Sequence, residues 1–230
     1  MEEAIKIESS PFLVLSLARH VRPRSKNMKV AVQRGLGVLA IAAVLGATAE
    51  AGPFEDGIAA YHEKAYAKAA ELWRPLAEAG NAPAQYLLGS LYVEGNGVEH
   101  DDATAFMWFE RAANQGDAAA QYNVGASYAG GTGVQKSDVD AAKWFRRAAD
   151  QGVVFAQLNL GLLYAAGNGV PQDSVEALKW LELAFFALPA SGARSDVARA
   201  MTDVTAKMTR EQIEEAKKRE RGWKAQPEVK

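Results

Sequence analysis

The segment Ala84–Gly116, which reads AQYLLGSLYVEGNGVEHDDATAFMWFERAANQG, is followed by two related copies of itself. The second copy, Ala120–Gly152, reads AQYNVGASYAGGTGVQKSDVDAAKWFRRAADQG. The third, Ala156–Leu188, has a degraded end and reads AQLNLGLLYAAGNGVPQDSVEALKWLELAFFAL. Successive copies begin 36 residues apart. A fixed period of about 20–50 residues is the signature of a repeat array, so the sequence predicts a solenoid.

The three copies share ten columns in which the residue is identical each time. So many identities at one spacing do not arise from composition alone. In the first copy, the members of these columns are Ala84, Gln85, Gly89, Tyr92, Gly95, Gly97, Val98, Ala105, Trp108 and Ala112.

Each copy is predicted to form a helix, a turn and a second helix. In the first copy, Leu88 and Leu91 follow helical spacing, and Gly95 lies just past the helix end, where left-handed backbone is needed. Gly89 inside that helix costs about 1 kcal/mol relative to alanine, so its recurrence predicts close approach of a neighbouring helix. The first helices are predicted to start near Asn81, Asp117 and Val153. The second helices are predicted to start at the N-cap residues Asp101, Ser137 and Asp173, with Glu176 at capping-box spacing from Asp173.

A tryptophan recurs on each predicted second helix, at Trp108, Trp144 and Trp180. Such a row could serve as a stacking platform for a ligand. At helical spacing among alanine and phenylalanine it is far more often core, which is the interpretation we favour. The glycine pair of Gly95–Gly97 is like half of a phosphate loop, but no strand precedes it and no Gly-Lys-Ser/Thr follows, so that interpretation fails.

The flanks of the three copies extend the array. Ala69 and Ala77 lie 36 residues before Ala105 and Ala113, which predicts a shortened first repeat with a compressed link near Glu63 and Lys64. A C-terminal pair of helices, with Ser195 and Thr209 as N-caps, is predicted to cap the solenoid with a polar face. The predicted segments are 52–80 for the shortened repeat, 81–116, 117–152 and 153–188 for the full repeats, 189–224 for the capping pair and 225–230 for a frayed tail.

Residues 1–51 have the character of an N-terminal extension that contains a secretory signal. A basic stretch that opens with Met28 is followed by the apolar run 35–47 and by two small-x-small sites that end at Ala49 and Ala51. The run is shorter than the roughly 20 residues that span a bilayer. We therefore expect translation to start at Met28, cleavage within 28–51, and a periplasmic or secreted protein that meets the membrane only transiently. The alternative is a membrane anchor at 35–47.

Composition excludes several classes of function. The formal net charge is −2, so no charge excess favours nucleic acid as a partner. Without residues 1–51, the chain carries 19 basic and 24 acidic residues. Cysteine is absent, which excludes disulfides, thiolate zinc sites, iron–sulfur clusters and a cysteine nucleophile.

No arrangement of residues predicts catalysis or metal binding. The three histidines, His20, His62 and His100, form no zinc-binding pattern. His100 precedes Asp101 and Asp102, and we interpret these three residues as a solvated loop that caps a helix rather than as a cation site. Neither S-x-x-K nor G-x-S-x-G occurs. The sequence therefore predicts no catalytic residue, no cofactor and no metal.

The pattern A-x-A-Q-Y-x-L-G-x-L-Y-x-x-G-x-G-V, then an acid, then A-x-x-W-x-x-x-A-A-x-x-G, resembles the Sel1-like repeat family. That family is similar to the tetratricopeptide repeats. The resemblance implies an all-α, right-handed α/α superhelix whose inner groove binds proteins or peptides. The third copy departs from the pattern at Leu158, Phe185 and Leu188, which indicates a bulkier neighbour in the C-terminal pair. In the first copy the match is carried by Ala82, Ala84, Gln85, Tyr86, Leu88, Gly89, Leu91, Tyr92, Gly95, Gly97, Val98, Asp101, Ala105, Trp108, Ala112, Ala113 and Gly116.

Two functional hypotheses follow from the resemblance and the signal. The first is an exported, non-enzymatic scaffold or adaptor that binds a protein or peptide partner in its concave groove, in envelope signalling or assembly. Recognition would then use non-consensus positions of the first helices, for which we select Leu87, Ser90, Asn123, Ala126, Asn159 and Leu162. The second is a cell-wall hydrolase or ligand binder, similar to β-lactamase-like Sel1 relatives, although those relatives are cysteine-rich. A cytosolic adaptor follows if the apolar run is not a signal.

Overall fold

The structure is a computed structural model that describes residues 52–189 and 192–228. The chain divides into the units 1–51 and 52–230. The predictions on Met28, on cleavage and on the run 35–47 lie outside the described residues. Regular secondary structure in the described part consists of ten α-helices without a strand. They are α1 (Pro53–His62), α2 (Tyr66–Glu78), α3 (Ala82–Glu94), α4 (Asp102–Asn114), α5 (Ala118–Gly130), α6 (Asp138–Asp150), α7 (Val154–Ala166), α8 (Ser174–Ala187), α9 (Gly192–Thr205) and α10 (Arg210–Gly222).

The helices form four consecutive pairs, α1–α2, α3–α4, α5–α6 and α7–α8. Each helix packs against the next one along the chain, within a pair and between pairs. Such nearest-neighbour packing defines a solenoid, and the predicted all-α solenoid of helix-turn-helix repeats is confirmed. The last two helices break the alternation, because α9 and α10 both pack against α8.

Side-chain caps start most of the helices where the sequence predicts. Asn81 and Asp117 accept hydrogen bonds from the backbone amides three residues on, at 2.8 and 2.7 Å. Val153 precedes α7 without a side-chain cap. The second helices of the full repeats have the N-caps Asp101, Ser137 and Asp173, as predicted.

Two predicted caps differ from the structure. Glu176 does not complete a capping box with Asp173. Instead its carboxylate accepts a hydrogen bond from Trp180 Nε1 at 3.0 Å. Ser195 lies inside α9, which begins at Gly192, so it is not an N-cap. Thr209 is the N-cap of α10, as predicted, and forms a capping box with Gln212.

Glycines at two positions of each repeat are required by close packing. A Cβ on Gly125 in α5 would lie 2.7 Å from the ring of Phe145 in α6, so the two helices could not approach as they do. Gly133 in the following turn has φ +69°, and its Cβ would lie 2.1 Å from the carbonyl oxygen of Asp102 in the preceding repeat. The turn of one repeat is therefore seated on the start of the second helix of the repeat before it.

The recurring tryptophans differ in how deeply they are buried. Trp108 and Trp180 are buried, as is Trp73 of the shortened repeat. Trp144 is only half-buried, and the guanidinium of Arg147 lies 4.5 Å above its ring. The core interpretation therefore holds for two of the three recurring tryptophans, while the third forms part of a partly exposed stack.

The C-terminal helices complete the core at the end of the array. Leu158 and Leu188 pack in one cluster with Val197 of α9 and Ala216 of α10, and Phe185 lies against this cluster. These are the three positions at which the third copy departs from the pattern. The predicted packing of the third copy against the C-terminal pair is thus confirmed.

The end of the described chain does not fray as predicted for 225–230. Gln226 N donates to Asp150 O at 2.8 Å, and Arg147 binds both carboxylate oxygens of Glu228 at 2.8 Å each. The prediction is wrong for 225–228 because these contacts tie the segment to the array. None of the helices within 52–189 and 192–228 is long and apolar enough to cross a membrane.

Candidate functional site

The six predicted recognition residues fall into two groups. Ser90 and Asn123 are buried, with 6% and 5% of their surface exposed, so they are poorly placed to contact a partner. Ser90 Oγ donates to Tyr86 O within its own helix. The other four residues are half-buried at the junctions between helices. These four are Leu87, Ala126, Asn159 and Leu162.

The two asparagines of this set have partners in the repeat before them. The side-chain amide of Asn123 lies beside the phenol of Tyr86, and that of Asn159 lies beside the phenol of Tyr122. Burial raises the pKa of both phenols above the ordinary value of 10.0, so both stay neutral. The series ends in the third copy, where Leu158 replaces the tyrosine. The two asparagines therefore help to fix how each repeat packs on the repeat before it.

A second series of polar contacts uses glutamines. Gln121 is fully buried, and its Nε2 donates to Ala113 O of the preceding repeat at 3.2 Å. Gln151, at the end of the same repeat, donates to Gln121 Oε1 at 2.8 Å and to Gly116 O at 3.1 Å. Gln85 and Gln115 make the equivalent contacts one repeat earlier. The recurring glutamines thus join each repeat to its predecessor.

A cluster of charges surrounds Glu176 near the C-terminal end of the array. Its carboxylate lies 2.9 Å from Arg219 Nη1, 3.5 Å from Lys179 Nζ and 3.8 Å from Arg146 Nη2. Burial alone would raise the pKa of Glu176, but these cations and the Trp180 indole hold it below its ordinary value. The cluster ties α6, α8 and α10 together and leaves no free carboxylate for acid–base work.

A shallow pocket of about 300 Å³ lies between α8 and the last two helices. Glu182 lines it and is only 8% exposed, and its Oε2 has no hydrogen-bond partner among the described residues. Burial raises the pKa of Glu182, with a smaller contribution from Glu220. Leu178, Phe185, Met201 and Ile213 form much of the remaining wall. The titratable groups of the lining are the Glu182 carboxyl group and the Lys217 ammonium group, which lies 3.6 Å from Glu214 Oε1.

Catalytic and metal-binding arrangements are not evident in the described part of the chain. Within 52–189 and 192–228, no three His, Asp or Glu side chains converge to hold a metal ion. Asp101 caps α4 through the backbone amides of Ala103 and Thr104, and His100 Nδ1 lies 2.9 Å from Val93 O. This is the structural role that the sequence predicts for the loop.

The C-terminal segment is the feature that the sequence analysis missed. The Trp223 ring packs edge-on against Trp180, with ring centres 6.2 Å apart. Beyond it, Gln226 N donates to Asp150 O at 2.8 Å, and Glu228 N donates to Gln151 Oε1 at 3.4 Å. The Glu228 carboxylate is bound by Arg147, which lowers the pKa of Glu228. An isolated tryptophan and a glutamate after a charged helix were the only signals in the sequence.

The fold and this surface define a class of protein: an α-helical repeat scaffold whose recurring residues serve packing and whose surface binds an extended segment. Comparison with known families makes the class specific. The Sel1 repeat matches four times, at residues 52–81, 82–117, 118–153 and 154–185. The chain belongs to the Sel1 repeat family. Sel1 repeat proteins are generally non-catalytic scaffolds for protein–protein interaction.

Solved structures and one curated protein are similar to parts of the chain. A Sel1 repeat protein from Oxalobacter formigenes is 33% identical with a TM-score of 0.58, over 70% of this chain and 63% of that one. The protective antigen c5321 of uropathogenic Escherichia coli, which has an SLR fold, is 28% identical with a TM-score of 0.48, over 77% and 49%. An exopolysaccharide production negative regulator from Rhizobium leguminosarum bv. viciae is 34% identical over 73 residues, which are 30% of this chain. The chain thus spans 27% of that regulator and less than two thirds of either structure.

Proposed function

We propose that the protein is an exported, non-catalytic scaffold that binds a protein or peptide partner, with a role in envelope signalling or assembly. One observation carries the proposal: the alanine and glutamine columns that recur in every copy are buried, whereas Leu87, Ala126, Asn159 and Leu162 vary and remain partly exposed. In repeat proteins such variable positions supply recognition. We place the partner in the concave groove that the family resemblance implies.

Site-specific photo-cross-linking tests the proposal directly. A photoreactive amino acid is placed at Leu87 or at Leu162 in the full chain and irradiated in cells of the native host. We expect a defined covalent adduct of one partner from both positions, identified by mass spectrometry. The same amino acid at Glu71, an exposed position on α2, is the matched control. Adducts that are absent, or identical at Glu71, would contradict partner binding at these positions.

The envelope setting rests on the signal-like segment 28–51. The curated relative is a regulator of exopolysaccharide production, and that relationship supports a regulatory role for this chain at the cell envelope. Mass spectrometry of the protein recovered from periplasm or medium is expected to find a new N-terminus at Glu50 or Gly52. A chain recovered only from cytoplasm with residues 28–51 intact would refute export.

The proposal also states that the scaffold does no chemistry on its partner. Three cations hold the Glu176 carboxylate, and Glu182 Oε2 accepts no hydrogen bond from the described residues. Incubation with a labelled penicillin and with muropeptides is expected to give neither covalent labelling nor turnover. Either product would favour the alternative of a cell-wall hydrolase.

A further inference from the structure

The surface that holds the C-terminal segment repeats along the array. Three repeats end their second helix with a left-handed glycine, and two of these also carry a glutamine before the glycine and an arginine one turn earlier. We call this surface the repeat-end row. It comprises Gly80, Arg111, Gln115, Gly116, Arg147, Gln151 and Gly152.

Residues 225–228 of the same chain occupy two of the three glycine positions of the row. A Cβ on Gly152 would lie 3.5 Å from the Cβ of Ala225, and a Cβ on Gly116 would lie 3.4 Å from the Cβ of Glu228. Three residues of the segment therefore advance it by one repeat. A Cβ on Gly80 would meet nothing within 4 Å, so no described residue covers the third position.

The arginines match this register. Arg147 binds Glu228. One repeat later along the array, the position equivalent to Arg147 is Leu183, which lies 36 residues further on. The segment residue that corresponds to this repeat is Ala225, three residues before Glu228. The segment thus has an acid in register with the arginine and an alanine in register with the leucine. The one charged side chain of residues 225–228 is therefore in register with an arginine of the array.

Arg111 repeats the geometry of Arg147 one step further on. Its guanidinium lies 4.7 Å above the ring of Trp108, as that of Arg147 lies 4.5 Å above the ring of Trp144. Arg111 is exposed, and no carboxylate of the described residues pairs with it. A fork-shaped guanidinium held on an aromatic face is suited to bind a carboxylate through two hydrogen bonds.

We infer that the repeat-end row binds an extended peptide with two carboxylates three residues apart, and that residues 225–228 are an internal competitor for it. The first carboxylate binds Arg147 and the second binds Arg111. Backbone amides of the peptide donate to the carbonyl oxygen at the end of α6 and to the glutamine side chains, as Gln226 and Glu228 do now. The inference rests on the proposed partner-binding function and names the chemistry of the partner.

Synthetic peptides test this inference on the full chain. The probes are fluorescein-labelled AQPEAAE, which continues the sequence of residues 225–228 with a second acid, AQPEAAQ, which lacks that acid, and AQPQAAQ, which lacks both. Binding is measured by fluorescence anisotropy at low ionic strength. We expect Glu228→Gln, which frees Arg147, to bind AQPEAAE at least tenfold more tightly than the unsubstituted chain does.

The second arginine is tested in the Glu228→Gln background. Adding Arg111→Gln is expected to weaken the binding of AQPEAAE about tenfold and to leave the binding of AQPEAAQ unchanged, because only the second acid reaches Arg111. Lys218→Gln, an equal charge change at an exposed site on α10, is the matched control and is expected to alter neither. Circular dichroism checks that each variant is folded, and Arg111 and Glu228 are both exposed.

Competition has a readout of its own. Because Gln226 N donates to Asp150 O, saturation of the unsubstituted chain with AQPEAAE is expected to speed hydrogen exchange at that amide. The inference would be overturned if AQPEAAE and AQPQAAQ bound with equal affinity. It would also be overturned if Arg111→Gln weakened the binding of AQPEAAQ as much as the binding of AQPEAAE. Unchanged exchange at Gln226 under saturation would overturn it as well.

The two proposals fail in different experiments. If a cross-linked partner is found and its capture is unaffected by Arg111→Gln with Arg147→Gln, the scaffold function stands and the acidic-peptide site is wrong. If the peptides bind as expected but no partner is cross-linked at the helix positions, the row stands and the groove proposal fails.

Discussion

Alanine substitutions at two glycines of one turn should separate backbone conformation from packing between repeats. Gly131 and Gly133 both have positive φ, at +73° and +69°. Either Gly→Ala change therefore costs about 1–2 kcal/mol for the left-handed conformation. At Gly131 the new Cβ has only ordinary to tight contacts, the nearest at 3.3 Å from Lys136 Cβ, so little is added.

At Gly133 the same methyl group meets the preceding repeat. Its Cβ would lie 2.1 Å from the carbonyl oxygen and 2.5 Å from the carbonyl carbon of Asp102. The turn must then lift away from the start of α4, at a typical overpacking cost of about 1–3 kcal/mol. We expect Gly131→Ala to lower the free energy of unfolding by about 1–2 kcal/mol and Gly133→Ala by about 2–5 kcal/mol.

Urea unfolding, followed by far-ultraviolet circular dichroism and tryptophan fluorescence, measures the difference. Since repeat arrays can unfold in parts, hydrogen exchange provides a local check at the first amides of α4. Only Gly133→Ala should speed exchange at Ala103 and Thr104. If the two variants lose the same free energy within about 0.5 kcal/mol, a typical error for such comparisons, seating between repeats does not operate as we describe.

Three further changes test the polar contacts. Glu176→Gln should lower the free energy of unfolding by about 2 kcal/mol at pH 7. The folded-state pKa of Glu176 is below its ordinary value of 4.5. The stability difference between the two proteins should therefore shrink as pH falls below 4.5 and the native carboxylate is protonated. Urea titrations at pH 7 and pH 3 measure this difference. Glu182→Gln should stabilise the protein at pH 7 by about 1 kcal/mol, because burial raises the pKa of Glu182; melting curves should show the gain vanish below pH 4.5 and persist above the folded-state pKa. Gln121→Leu should cost about 2–3 kcal/mol by stranding buried partners, whereas Gln172→Leu, at an exposed loop site, should change unfolding by less than about 0.5 kcal/mol.

Local chemistry made most of the repeat structure predictable. A helix start depends on one side chain and an amide two or three residues on, so Asp101 and Asp173 could be identified from neighbouring residues alone. The helical glycine at Gly125 was predictable because an unfavourable residue that recurs at each repeat needs a packing reason. Such features repeat with the period of the array, and the period makes them visible.

Contacts that the period does not carry were missed. Arg147 and Glu228 are 81 residues apart, and only the folded array brings them together. Asn123 has the polarity of a surface residue, yet it is buried beside Tyr86 of the preceding repeat. Ser195 has the chemistry of an N-cap, but it lies inside α9, which begins at Gly192. Tertiary packing decided each of these positions.

The glutamine and glycine contacts between repeats all point back along the chain, and this direction bears on how such arrays change length. Gln151 reaches Gly116, and the turn at Gly133 rests on Asp102, so a unit needs only the unit before it. A duplicated 36-residue segment inserted after Gly116 would find the same partners on both sides. After α8 the glutamine and glycine are replaced by Ala187 and Leu188, and Leu188 is buried against the last helices. Gene duplication can therefore lengthen the array from within, while its C-terminal boundary stays closed to further units.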